Sequence, residues 1–196
     1  LLCFGYGQVA KNLISNLLKK KVNVNLTIST REKSSIKKLS NFEFENLEFS
    51  ENAYDKKILD KLNEFDYILI SVPPISSKDL FLEKLANHVS ENSKIKSILY
   101  LSSTSVYGDH NGAWVNEESE TKPKTKMGID RLHIENKWIE FSKKKKLPIQ
   151  IFRLAGIYSE KNNAVSRLQN KQSFLVIKEN HFFSRIHVKD ISEILY

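Results

Sequence analysis

The first residues of this chain whose spacing suits chemistry stand at the mouth of an apolar run. Leu1 to Phe4 leads straight into Gly5-Tyr6-Gly7-Gln8-Val9-Ala10, a G-x-G-x-x-A pattern. Gly5 allows a tight turn, Gly7 lets a pyrophosphate come up against the backbone, and Ala10 keeps the following helix close to the sheet. The N–H groups opening that helix would face the phosphates. The pattern alone is weak, since two glycines also serve a turn with no ligand. Here it follows a strand-like run and opens an amphipathic segment, the context such a site needs.

A second cluster ends the next apolar run, Ile28-Ser29-Thr30-Arg31-Glu32. An acid at that strand end would hold a ribose 2′-hydroxyl, as in NAD binding. A hydroxyl followed by an arginine suits a 2′-phosphate, because a guanidinium forks onto phosphate oxygens. Thr30 and Arg31 favour NADP(H). Glu32 as the acid, with Arg31 merely solvated, keeps NAD(H) open.

Three further blocks follow: Tyr100-Leu101-Ser102-Ser103-Thr104-Ser105-Val106-Tyr107-Gly108-Asp109, then Arg153-Leu154-Ala155-Gly156-Ile157-Tyr158, then Arg185-Ile186-His187-Val188-Lys189-Asp190-Ile191. With these in order, the chain resembles the extended short-chain dehydrogenase/reductase family, the NAD(P)-dependent epimerases and dehydratases, in particular an atypical branch. The resemblance covers the whole chain. It implies that Gly5, Tyr6, Gly7, Gln8 and Val9 form the pyrophosphate loop and that Thr30 and Arg31 reach the adenosine ribose. Val72, Pro73, Pro74 and Ser102 would line the cofactor, and Leu154, Ala155, Gly156 and Ile157 would pass the nicotinamide. Ser103, four residues before Tyr107, matches the catalytic Ser/Thr. Asp190 matches an Asp opening a late helix, where an N-cap role suffices.

The departures from the family bear on the chemistry. The family's proton relay pairs a Tyr with a Lys four residues later, the cation lowering the phenol's pKa. At those positions this chain has Met127 and Arg131. Met127 has no proton to give. Arg131 keeps the ability to bind ribose hydroxyls or a phosphate but not to shuttle protons. Nucleotide-sugar members place an Arg four residues before the late His; here that residue is Phe183, and the nearest Arg is Arg185. Tyr107 is a substitute donor, or a packed ring with a structural hydroxyl. Asp109 and His110 have an acid–base reading and a solvated-loop reading. His187 reads as structural, and Trp114 and Trp138 as packing. No His/Cys/Asp/Glu spacing fits a metal site.

These residues need elements to hold them. Apolar and helical patterns alternate: strands at residues 1–4, 24–30, 46–49, 67–72, 95–102, 149–154 and 174–177, with helices at 8–20, 34–39, 54–63, 78–89 and 131–145. Another helix begins near Ile191. Such alternation predicts a Rossmann-type α/β fold, a doubly wound parallel sheet with helices on both faces. Gly108 to Gly128 reads as a long loop at the strand ends, the edge where ligands bind. The 196 residues read as one NAD(P)-binding domain with the start of a small C-terminal substrate-binding part, a piece of a longer chain.

The net charge of +8 raises nucleic-acid binding, but only five basic residues are Arg and the Lys are scattered. The dense run, Lys143 to Lys146, ends a helix, where it complements the dipole. Neither nucleic acid nor a membrane is expected as a partner. The single Cys3, in a buried strand, fits a reducing, cytoplasmic location. The functional expectation is an NAD(P)-binding, epimerase/dehydratase-like oxidoreductase, NADP(H) preferred. It would act on a small polar hydroxyl or carbonyl substrate without the Tyr–Lys relay. A non-catalytic dinucleotide-binding redox sensor or scaffold is the alternative. The oligomeric state stays open.

Overall fold

The computed structural model describes residues 1–172 and 182–196. It opens with β1 (Leu2–Phe4), α1 (Gln8–Lys19) and β2 (Thr27–Thr30), then a hairpin of β3 (Ser35–Leu39) and β4 (Phe42–Glu48). Next come α2 (Lys57–Lys61), β5 (Tyr67–Ile70), α3 (Leu80–Lys84) and β6 (Ser97–Ser103). The chain continues through α4 (Lys126–Lys145), β7 (Ile149–Leu154), β8 (Gly156–Tyr158), α5 (Ala164–Gln169), β9 (Arg185–His187) and α6 (Val188–Ile194).

Seven strands form one sheet in the order β3-β4-β2-β1-β5-β6-β7, and β8 pairs with β9 separately. Every neighbour in the large sheet is parallel except β3 against β4. The chain runs outward from β1 on one side, then returns to β5 on the other. The strand order therefore reverses between β1 and β5, and a crevice opens at their carboxyl ends. Apolar runs without alternation are what strands covered on both faces require. Leu2, Phe4, Ile68, Ile70, Ile98 and Tyr100 pack under α2, α3 and α4. Cys3, Ile28, Leu69, Leu99 and Leu101 face the other way, towards α1 and α6. Trp138 anchors the first layer, with its ring 5.3 Å from Phe81, 5.7 Å from Tyr100 and 5.6 Å from Phe141. No helix among the described residues is long and apolar enough to cross a membrane.

Several local expectations are corrected. Residues 34–39 are not a helix but supply β3. Leu39 pairs with Phe42 across a two-residue turn in which Ser40 takes φ 55°. That turn closes a hairpin, and the cross-strand bonds to β4 outweigh the weak helical spacing of Ile36 and Leu39. β4 is correspondingly longer than the 46–49 segment expected. α4 starts at Lys126 rather than Arg131, because the Thr125 hydroxyl caps it by accepting from the Gly128 N–H at 3.1 Å. Trp138 packs as expected, but Trp114 is fully exposed on the loop. Asp190 does not cap α6; the His187 ring does, accepting from the Lys189 N–H. The strand expected at residues 174–177 lies outside the described residues.

Candidate nucleotide and substrate cleft

At the end of β1 the backbone turns between its two neighbours. The Gly5 N–H donates to the Ser29 carbonyl at 2.9 Å, and the Ser71 N–H donates to the Phe4 carbonyl at 2.9 Å. Gly5 sits at φ +94°, and a Cβ there would lie 2.7 Å from Ser71 Oγ and 3.2 Å from Val72 Cγ2. Only glycine meets both demands without strain. Gly7 differs. Its φ is −81°, and a Cβ there would meet nothing within 4 Å. The protein leaves open space above Gly7, and no side chain caps the N-terminus of α1. This is a cradle for an anion: close backbone, unspent N–H donors and the positive end of a helix dipole. These residues fit the pyrophosphate of a dinucleotide. The Tyr6 ring turns aside against Phe44 at 5.7 Å, and burial pushes its phenol pKa up.

Thr30 Oγ1 donates to Asn46 Oδ1 at 2.9 Å and accepts from the Glu32 N–H at 3.2 Å. The turn after β2 is thus fixed by its own side chains. Glu32 is ion-paired to Lys37 of β3, whose hydrogen bond holds the Glu32 pKa down. Arg31 is exposed, with no ion-pair partner among the described residues.

At the other end of the crevice most of the polar groups are engaged within the protein. Ser103 caps the short 3₁₀ turn Thr104–Val106, its Oγ accepting from the Ser105 N–H at 3.2 Å. Ser102 donates to Glu135 Oε1 at 2.5 Å. Glu135, 1% exposed on α4, also receives a fork from Arg153, with Nη2 2.9 Å and Nε 3.1 Å from Oε2. The Arg153 guanidinium lies 4.9 Å above the buried Tyr107 ring. Beyond Tyr107, His110 Nε2 lies 3.1 Å from the carbonyls of both Tyr107 and Glu120, and so carries a proton between them. That contact ties Glu120 back to Tyr107, where the loop begins. Arg131 Nη1 donates to the Leu101 carbonyl at 2.8 Å. Met127, one helical turn earlier, is 65% exposed.

Thr30–Arg31, Gly5–Val9, Val72–Pro74, Ser102–Ser103 and Leu154–Ile157 stand at or just beyond the carboxyl ends of β2, β1, β5, β6 and β7, neighbours in that order. The sheet thus lines them along one edge, with Ser103 opposite Leu154. Arg131 reaches the same edge from α4. Tyr107 instead turns inward beneath Arg153. A cavity of about 680 Å³ lies at the opposite end of the strands, lined by Leu1, Thr27, Phe44 and Phe65 among others. It contains none of these residues. Among the described residues no cluster of His, Cys, Asp and Glu is arranged for a metal.

Sequence reasoning missed Glu135, Ser71 and Asn46. A signal for Glu135 existed: Arg131, Glu135 and Trp138 share helical spacing on the inward face of α4. A carboxylate among apolar positions needs a buried cation. Ser71 and Asn46 carry no such mark, because their partners are backbone groups and residues distant in sequence.

Residues 5–193 match the family profile of the NAD dependent epimerase/dehydratase family. No curated protein matches. Among solved structures, a functionally unknown conserved protein from Silicibacter pomeroyi superposes with a TM-score of 0.79 at 29% identity. The match covers 99% of this chain and 65% of that one, so this chain spans less than two thirds of that neighbour's length. UDP-N-acetylglucosamine 4-epimerase from Bacillus cereus gives a TM-score of 0.69 at 18% identity over 98% and 70% of the two chains. MoeE5, solved with UDP-glucose and NAD, gives 0.75 at 16% over 99% and 69%. These last two likenesses bear on fold alone. With the family profile spanning nearly the whole chain, the protein belongs to the NAD dependent epimerase/dehydratase family.

Proposed function

We propose that the protein is an NAD(P)-dependent oxidoreductase of the epimerase/dehydratase type, acting on a small polar hydroxyl or carbonyl substrate without a Tyr–Lys relay. The observation that carries this reading is the open, uncapped turn at Gly7 where the strand order reverses. Bound NAD in a neighbour such as MoeE5 supports the same cofactor class here. The cofactor supplies hydride chemistry. The protein's own residues bind and orient. The Gly5–Val9 turn holds the pyrophosphate, Val72–Pro74 and Ser102 line the crevice, and Leu154–Ile157 passes the reacting end. Arg131, one N–H committed to Leu101, keeps further guanidinium donors for a ribose hydroxyl. Ser103 stands at the edge with a hydroxyl proton still to donate, since among the described residues its oxygen serves only as an acceptor.

The cofactor preference is for NADP(H). Glu32, the carboxylate that would bind a 2′-hydroxyl, is engaged by Lys37, while Arg31 is available for a 2′-phosphate. The substrate is a small molecule. Neither nucleic acid nor membrane enters this reading.

A second reading, a dinucleotide-binding redox sensor, draws on Met127, which puts no titratable group at the relay position. Hydride transfer from NADPH to a panel of small aldehydes and ketones separates the two. Turnover that falls at least about tenfold in Ser103→Ala, the loss of one hydrogen bond to the reacting group, supports the enzyme. No turnover from cofactor-loaded protein across the panel supports the sensor.

A further inference from the structure

Beyond the end of β7 the chain builds a second, small strand pair with a polar face of its own. β8 and β9 pair with Gly156 opposite Arg185, Ile157 opposite Ile186 and Tyr158 opposite His187. Ile157 and Ile186 pack into the layer shared with α1 and α6. Strand alternation therefore turns Arg185, Tyr158 and His187 to the opposite face. The Arg185 guanidinium lies against Gly156, where a Cβ would sit 2.2 Å from Nη1. Glycine at 156 thus makes room for this cation. The Phe183 ring flanks the guanidinium at 5.0 Å.

Among the described residues the donors on this face are largely unspent. Among the described residues the one hydrogen bond of the Arg185 side chain is a 3.5 Å contact with the Ser184 carbonyl, and no carboxylate pairs with it. His187 Nδ1 accepts from the Lys189 N–H at 3.3 Å, so the neutral ring carries its proton on Nε2. The Tyr158 ring stands edge-on to His187 at 4.9 Å. Glu160, whose carboxylate interacts electrostatically with His187, is held by Lys189 at 2.6 Å. The face also adjoins the proposed cleft. Gly156 follows Leu154, the partner of Ser103, by two residues. Phe182, three residues before Arg185, lies against Gly112 of the long loop.

We propose that Arg185 and His187 form an oxyanion subsite, so that the substrate carries a carboxylate or a phosphate beside its reacting hydroxyl or carbonyl. The proposal rests on the reading of this edge as the substrate side of a dinucleotide cleft. A guanidinium fork with an imidazole N–H two residues along the strand gives a charge-assisted donor set suited to such an anion.

The test titrates the protein, with and without NADPH, with inorganic phosphate and separately with malonate. The ¹⁵N resonance of His187 Nε2 reports the site itself, whereas an anion held at the Gly5–Val9 turn would leave it unmoved. At least one anion is expected to shift that resonance. Arg185→Gln is expected to weaken the effect at least about tenfold, and Arg185→Lys by less, since it keeps the charge without the fork. Thermal melting and NADPH affinity are expected to stay at the parent's values in both variants. Response to phosphate alone assigns a phosphorylated substrate, and response to malonate alone a carboxylate. No shift with either anion, or equal shifts in the parent and Arg185→Gln, overturns the proposal. Loss of NADPH binding by the parent would instead overturn the cofactor reading and leave the His187 result standing on its own.

Discussion

The turn after β1 and the end of β6 lie on the same edge of the sheet, yet their polar groups are treated in opposite ways. At the turn, Gly7 faces empty space and α1 begins with no side-chain cap. At the end of β6, Ser102, Glu135, Arg153 and Arg131 are bound to one another or to backbone. One end keeps its donors for something that arrives; the other spends most of its polar groups on holding strand and helix in place. Arg131 has been drawn partly into structure, and Met127 has been left to solvent.

The largest expected effect breaks the satisfied end. Glu135→Ala leaves Arg153 partly buried without its partner and strands the Ser102 hydroxyl. Breaking a buried pair in this way costs about 3–5 kcal/mol. Urea denaturation should show a loss of that order; less than about 1 kcal/mol would mean that the Ser102–Glu135–Arg153 group is not holding this end together.

The next effect sharpens the open end. Arg31→Ala should weaken NADPH by about 1.5–3 kcal/mol, one charge-assisted hydrogen bond, and NADH little. Equal losses for both cofactors by calorimetry, or tighter NADH binding by the parent, would return the ribose site to Glu32. Gly5→Ala follows. A side chain at φ +94° against Ser71 should cost about 1–3 kcal/mol of stability. An unchanged melting temperature would show that the turn is looser than its backbone bonds imply.

The contrast between the two ends also explains what could be read from the sequence. The open end was legible because its requirements are local: Gly5, Gly7 and Ala10 follow one another within a single turn. The parallel sheet was legible for a related reason, since its strands are apolar on both faces. The Ser102–Glu135–Arg153 group joins residues far apart in the chain, so no local pattern announces it. The Ser34–Leu39 segment was misread because Ile36 and Leu39 have helical spacing, and the strand pairing that wins depends on Phe42–Glu48. Trp114 was misread because a large aromatic ring is usually buried, and nothing in sequence shows that its loop leaves it in solvent.

The smallest effect concerns Met127 on α4. Met127→Leu, on an exposed site, should change stability by less than about 0.5 kcal/mol and leave any native turnover within about twofold. A large drop in turnover with folding and cofactor affinity intact would put Met127 in the reaction after all.

The central claim is that the protein leaves the space over Gly7 for a dinucleotide. Gly7→Val tests it most directly, because the φ of −81° tolerates a side chain and no atom of the described residues occupies that space. Calorimetric titration of a folded Gly7→Val protein should show both NADPH and NADH bound at least about 100-fold more weakly, a loss of about 2.7 kcal/mol, with the melting temperature close to the parent's. Unchanged dinucleotide affinity in a folded Gly7→Val protein would contradict the assignment.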